Sequence, residues 1–117
     1  MNDNFEKQQL IVVIVKKGIA SKLIETAKKG GAVGWTLVYG KGSVEKDIYQ
    51  NVLGIEYQPE KEIVFIVVKK EMAIKIFNSV VKAGSLIKPG KGIAFLLNLE
   101  KCRGIADLLT LIEKGEY

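Results

Sequence analysis

The sequence predicts an α+β sandwich: a four-stranded antiparallel sheet, two helices on one of its faces, a long loop after strand 2 and a short C-terminal helix. Three observations lead there. At 117 residues the chain has the size of one domain, so 1–117 reads as a single unit with room for a real core. Residues 11–31 and 64–84 look like two editions of one segment. Lys16 and Lys17 fall on Lys69 and Lys70, Ala20 on Ala73, Lys22 on Lys75, Lys29 on Lys82 and Gly31 on Gly84. Each edition is an apolar run, a Lys-Lys break and an amphipathic stretch, which is strand and then helix. Two βαβ units of this length favour a ferredoxin-like βαβ-βαβ sandwich with both main helices on one side of the sheet.

The elements come in order. Leu10–Val15 is a β-branched run of strand length. Ile19, Ala20, Leu23, Ile24 and Ala27 recur at helical spacing, with Lys22, Glu25, Lys28 and Lys29 on the other side, and Gly30-Gly31 stops the helix. Val33, Trp35, Leu37 and Tyr39 alternate against Gly34, Thr36 and Val38 as a second strand. Trp35 and Tyr39 are expected in the core or at an interface. Gly40–Pro59 is polar with isolated apolar residues and reads as a long loop, a length that is commonly functional in a compact domain. Ile63–Val68 is the third strand, and Met72, Ala73, Ile76, Phe77, Val80 and Val81 mark the second helix. Gly84–Gly92 is a turn, Ile93–Leu99 the fourth strand, and Ile105, Leu108, Leu109 and Ile112 suggest the C-terminal helix.

The strands carry more apolar residues than such a fold can cover. Two helices shield one face of the sheet, so its strands ought to alternate apolar and polar residues. Instead Leu10, Val12 and Ile14 match Ile11, Val13 and Val15, and Ile63, Phe65 and Val67 match Val64, Ile66 and Val68. An uncovered face of that kind marks an interface. A homo-oligomer that buries it is the expectation.

Composition narrows the chemistry. The chain has no histidine, which removes His-based triads, the usual general acid–base group and the commonest metal ligand; no enzyme and no metal site are expected. Its one cysteine, Cys102, excludes an internal disulfide and a Cys-rich zinc site. Residues 1–9 are polar with no apolar stretch behind a basic start, and no apolar run approaches the roughly 20 residues that span a bilayer. A cytoplasmic location without membrane insertion is expected. The net charge of +5 comes from lysines spread along helices and turns, so it favours anionic partners without a block that would mark nucleic acid.

Two Gly-Lys-Gly triplets, Gly40-Lys41-Gly42 and Gly90-Lys91-Gly92, stand out. Glycines let the backbone approach a ligand, successive amides in a tight turn form an anion-binding concavity, and a lysine adds a point charge for phosphate. A plain turn that needs positive φ explains either triplet taken singly. Neither is a P-loop. Their placement adds weight: one closes the second strand, the other opens the fourth, and Lys88-Pro89 stiffens the approach to it. Arg103, after the fourth strand, could fork onto phosphate. Glu60 and Glu62 flank Lys61 as a charged start to a strand rather than an acid–base pair.

These segments resemble the PII family of nitrogen-regulatory signalling proteins, as a divergent member with a short loop. The matching stretches are residues 10–18, Gly-Trp-Thr-Leu-Val-Tyr-Gly-Lys-Gly at 34–42, Pro-Glu-Lys-Glu-Ile-Val at 59–64 and Lys-Pro-Gly-Lys-Gly-Ile-Ala-Phe at 88–95. The resemblance implies a homotrimer with its sheets packed around a central core and adenine nucleotide (ADP, ATP or AMP) in clefts between subunits. By position the nucleotide-binding residues would be Thr36, Gly40, Lys41, Gly42, Lys88, Gly90, Lys91, Gly92 and Arg103. It also implies that the loop 41–58 touches a partner protein, a transporter or an enzyme of nitrogen metabolism. Glu60 stands where many relatives have a lysine after the closing proline, and Ile93 stands where another phosphate-contacting lysine would align. The alternative is a ferredoxin-like binding module of another kind, for RNA or for a small metabolite at a subunit interface.

Overall fold

The first three apolar runs form strands that are longer than the runs themselves, and the fourth keeps its length one residue earlier. In the computed structural model, which describes residues 8–42, 59–104 and 115, the order is β1 (Gln8–Lys16), α1 (Ala20–Lys29), β2 (Gly34–Lys41), β3 (Glu60–Lys69), α2 (Lys70–Ala83) and β4 (Gly92–Asn98). β3 begins at Glu60 rather than Ile63, because Lys61 and Glu62 continue the pairing with Lys16 and Val15 of β1. Of the expected long loop Gly40–Pro59, Gly40 and Lys41 instead extend β2, where they pair with Lys61 and Glu60, and residues 43–58 lie outside the described residues, as does the expected helix over 105–112.

The sheet is antiparallel throughout, in the order β2-β3-β1-β4, with the two β-branched runs as its central strands. α1 packs over β3 and β2, α2 packs over β1, β3 and β4, and the helices pack on each other. Ile11, Val13 and Val15 of β1 and Val64, Ile66 and Val68 of β3 meet Leu23 and Ile24 of α1 and Ile76 and Val80 of α2 in one buried cluster. Each such side chain contributes about 1.5–3 kcal/mol over an exposed one, so this layer supplies most of what holds the fold together.

Register fixes what the other face carries. Across the sheet, Val38, Ile63, Ile14 and Ile93 form one row; Thr36, Phe65, Val12 and Phe95 the next; Gly34, Val67, Leu10 and Leu97 the third. Apart from Gly34 and Thr36, every position is apolar. Val38, Phe65, Ile93, Phe95 and Leu97 are 37–47% exposed. The excess of apolar residues thus has a location, a continuous uncovered sheet face. Trp35 and Tyr39 are not in the core: they lie on the helix side of the edge strand β2 and are 47% and 64% exposed.

Both helices end alike, which corrects the alignment of the two editions. At the end of α1, Gly31 N–H donates to Lys28 O and Ala32 N–H to Ala27 O; at the end of α2, Ser85 N–H donates to Lys82 O and Leu86 N–H to Val81 O. These are two copies of the Schellman cap. Gly30 therefore corresponds to Gly84, and Gly31, at φ 98°, corresponds to Ser85, at φ 53°. Matching by residue letter sets Gly31 on Gly84, one residue out of step at the cap.

Candidate functional site

The antiparallel register brings the C-terminal end of β1, the N-terminal ends of β3 and β4 and the last residues of β2 to one edge of the sheet. A cleft of about 220 Å³ opens there on the uncovered face, lined by Ile14, Ile63, Ile93, Lys41, Gly42, Lys61 and Gly92. Its floor is the row Ile63–Ile14–Ile93, three isoleucines directly opposed across the sheet. Its rim is the end of β2, where Gly42 N–H reaches Pro59 O at 3.4 Å, together with Lys61, which is buried. An apolar floor with cationic and glycine edges suits a flat apolar ring that carries an anionic group.

Gly92 is indispensable to that edge. At φ 138° it occupies a conformation that disfavours side chains, and a Cβ there would lie 2.5 Å from Ile14 O and 2.9 Å from Val15 Cγ1. Glycine thus lets β4 start flush against β1. Gly90, at φ 79°, turns the chain just before it.

The sequence-predicted residues divide among several surfaces. Lys41, Gly42 and Gly92 share the open-face cleft, and Gly40 adjoins it in β2, its position approached by Ile63 Cδ1. Lys91 faces the other side and lines a cleft of about 110 Å³ with Lys16, Ile19, Lys22, Gly84 and Ser85. Lys88 belongs to a third surface, with Asn78, Val81, Lys82, Ser85 and Ile87, which is 88% exposed. Thr36 stands in the middle row of the open face, paired with Phe65. Arg103 is exposed beyond β4, and its guanidinium donates to Cys102 O at 3.1 Å.

Two carboxylates at this edge have definite tasks. Glu62 is 6% exposed, and its Oε1 accepts from Gly18 N–H at 2.8 Å and Ala20 N–H at 2.9 Å. It therefore caps the N-terminus of α1 from β3, where Ile19 offers no side-chain acceptor. Glu60 pairs with Lys17 at 3.0 Å on the surface. That hydrogen bond, reinforced by the charge of Glu60, holds the Lys17 ammonium above its ordinary pKa of 10.5.

Sequence reasoning missed Glu62, Lys61, Lys16, Lys22 and Ser85. The period of β3 held the signal for Glu62: it falls in step with Val64, Ile66 and Val68, the helix side. Among the described residues no group of acidic, histidine or cysteine side chains could hold a metal ion, and no helix is long and apolar enough to cross a membrane.

No protein-family model matches the sequence, and no curated protein matches it either. Solved structures do. A PII protein from Arabidopsis thaliana, bound to citrate, superposes with a TM-score of 0.62 at 21% identity, over 81% of this chain and 79% of that one. A DUF3240 family protein from Shewanella baltica OS155 superposes with a TM-score of 0.63 at 12% identity, over 84% of this chain and 96% of that one. The chain has the ferredoxin-like fold of PII-like proteins.

Proposed function

We propose that this chain is a non-enzymatic PII-like signalling protein. It works as a cytoplasmic homotrimer, binds an adenine nucleotide at clefts between subunits, and regulates a partner protein through the loop 41–58. The observation that carries the reading is the open-face cleft, where the Ile63–Ile14–Ile93 floor meets Lys41, Lys61 and the glycine edges of Gly42 and Gly92. The cleft continues onto the uncovered apolar rows, so a second copy laid on that face would both bury the rows and wall in the cleft. Burial of such a face suits a standard interface of roughly 800 Å² per partner. The PII protein of like fold holds citrate, which supports a small anionic ligand on this scaffold. The partner would be a transporter or an enzyme of nitrogen metabolism.

Two measurements test the reading. Mass in solution is expected at three times the 12.9 kDa of the chain, and Phe95→Glu, in the middle row of the open face on the edge strand β4, is expected to yield folded monomers. Wild-type protein at monomer mass removes the trimer. In calorimetry ATP, ADP or AMP is expected to bind, with Lys41→Ala weakening the tightest of them at least ~5-fold, as loss of a charged contact does. Absence of heat from all of these at millimolar concentration rejects the nucleotide.

A further inference from the structure

The helix-side cleft lies back to back with the open-face cleft and has a different character. Lys16 comes from the end of β1, Lys22 from the first turns of α1, and Lys91 from the approach to β4; with Ser85 and Gly84 they enclose a cleft of about 110 Å³. Among the described residues none of these lysines forms an ion pair; the surface pairs there belong to Lys17 and Lys28. Cations drawn from separate elements to one small cleft repel each other unless an anion lies between them.

Ser85 supplies an independent observation. The two editions of the fold end their helices in the same cap, and that cap needs a left-handed residue. The first edition uses Gly31, the residue without steric cost in that conformation, and a Cβ there would meet nothing. The second uses a serine at φ 53°, the one non-glycine residue with positive φ among the described residues. Nothing in the cap needs a side chain, and Ser85 lines the cleft. The first edition also carries Ala32 where Leu86 follows the serine. The two caps thus differ at one position: glycine in the first edition, and in the second a serine that lines the lysine cleft.

We propose that this cleft is a phosphate site, in which Lys16, Lys22 and Lys91 neutralise a phosphate group and the Ser85 hydroxyl donates a hydrogen bond to it. The group is small enough for the cleft, dianionic near neutral pH, and offers acceptors to donors that arrive from several sides. The α1 N-terminus is not part of the site, since the Glu62 carboxylate already takes Gly18 N–H and Ala20 N–H. The site is distinct from the proposed nucleotide cleft, and neither depends on the other.

The test uses the intact protein and amide NMR, with inorganic phosphate and, separately, phenyl phosphate as probes. Phosphate is expected to shift the amides of Ser85 and Lys91 saturably, and stronger shifts with the ester would identify an esterified phosphate as the better ligand. Ser85→Gly is the decisive variant. It relieves the left-handed strain, so it is expected to raise the melting temperature by a few degrees while weakening phosphate binding at least ~3-fold. Lys22→Ala is expected to weaken it at least ~5-fold and Lys41→Ala to leave it unchanged. Saturable shifts in wild type that Ser85→Gly and Lys22→Ala leave intact would overturn the proposal, as would shifts confined to Lys41 and Gly42. The absence of saturation at tens of millimolar phosphate and phenyl phosphate would overturn it too.

Discussion

Removing the Glu62 carboxylate tests the account of the fold most directly, because this one group ties β3 to the start of α1. It accepts two backbone N–H bonds at 2.8 and 2.9 Å while only 6% exposed, so solvent screens them little. A hydrogen bond to a charged group is worth about 1.5–3 kcal/mol net, and a capping side chain about 0.5–2 kcal/mol. The two bonds share one desolvated carboxylate and do not add in full, so Glu62→Ala is expected to cost about 2–4 kcal/mol. Glu62→Gln keeps an acceptor and loses the charge that favours a helix N-terminus, which puts its cost at about 1–2 kcal/mol. Urea unfolding at one fixed protein concentration reads both, since any assembly makes apparent stability concentration-dependent. Hydrogen exchange gives the local readout: the amides of Gly18 and Ala20 lose protection in Glu62→Ala first. A cost below ~0.5 kcal/mol with those amides still protected would refute the capping account, and so would a Gln variant as damaged as the Ala variant.

Gly92→Ala is expected to destabilise by about 2–4 kcal/mol, combining left-handed strain with a clash on the β1 backbone; thermal unfolding checks it, and near-wild-type stability would mean that β4 does not start flush against β1. The Lys17 ammonium is expected to titrate above 10.5, with Glu60→Gln returning it toward that value, as followed by the Lys17 side-chain carbon shift. Because the folded pKa is raised, the stabilisation from this pair is fully present below pH 10.5 and fades as pH rises through the folded value; both groups are more than half exposed, so the effect on unfolding is small.

The order of elements was legible because period and length agree in every apolar run, and the repetition doubled the signal. The uncovered face was legible too: Val12 and Ile14 beside Val13 and Val15 state a two-sided strand without any coordinates. Element ends were less legible. β3 starts early because Lys61 and Glu62 pair with β1, a long-range cause that no local pattern contains. The helix caps were out of step by one residue because letter matching aligned glycines, whereas the backbone aligns left-handed positions, and one of those is a serine. The candidate residues fall on more than one surface. Lys41 and Gly42 share a cleft with Gly92, whereas Lys91, adjacent in sequence, lines the helix-side cleft. A motif read as one unit, Gly90-Lys91-Gly92, thus serves two surfaces.

The same register explains why a mild net charge has a strong local expression. Along the chain the lysines look dispersed, as on any solvated surface. In the fold, the end of β1, the starts of β3 and β4 and the end of β2 converge, and they bring Lys16, Lys17, Lys41, Lys61 and Lys91 to one edge of the sheet. Glu60 and Glu62 lie among them, but Glu62 is committed to two helix amides and Glu60 to Lys17. The balance is cationic on both sides of the sheet edge, with an apolar floor on one side and a serine on the other. At the opposite end Gln9 hydrogen-bonds Asn98 between β1 and β4, and Lys69 and Lys70 are exposed beside Gln8, outside both clefts. An anion approaching this edge meets two different surfaces, and the one it meets decides how tightly it stays. An apolar group gains from the isoleucine row, and a bare phosphate gains from the lysine–serine cleft. The order of affinity for phosphate and nucleotide at the two clefts is consequently expected to be opposite. That inversion, measured on one sample with Ser85 and Gly42 amides as separate reporters, is a result that a general basic surface cannot produce.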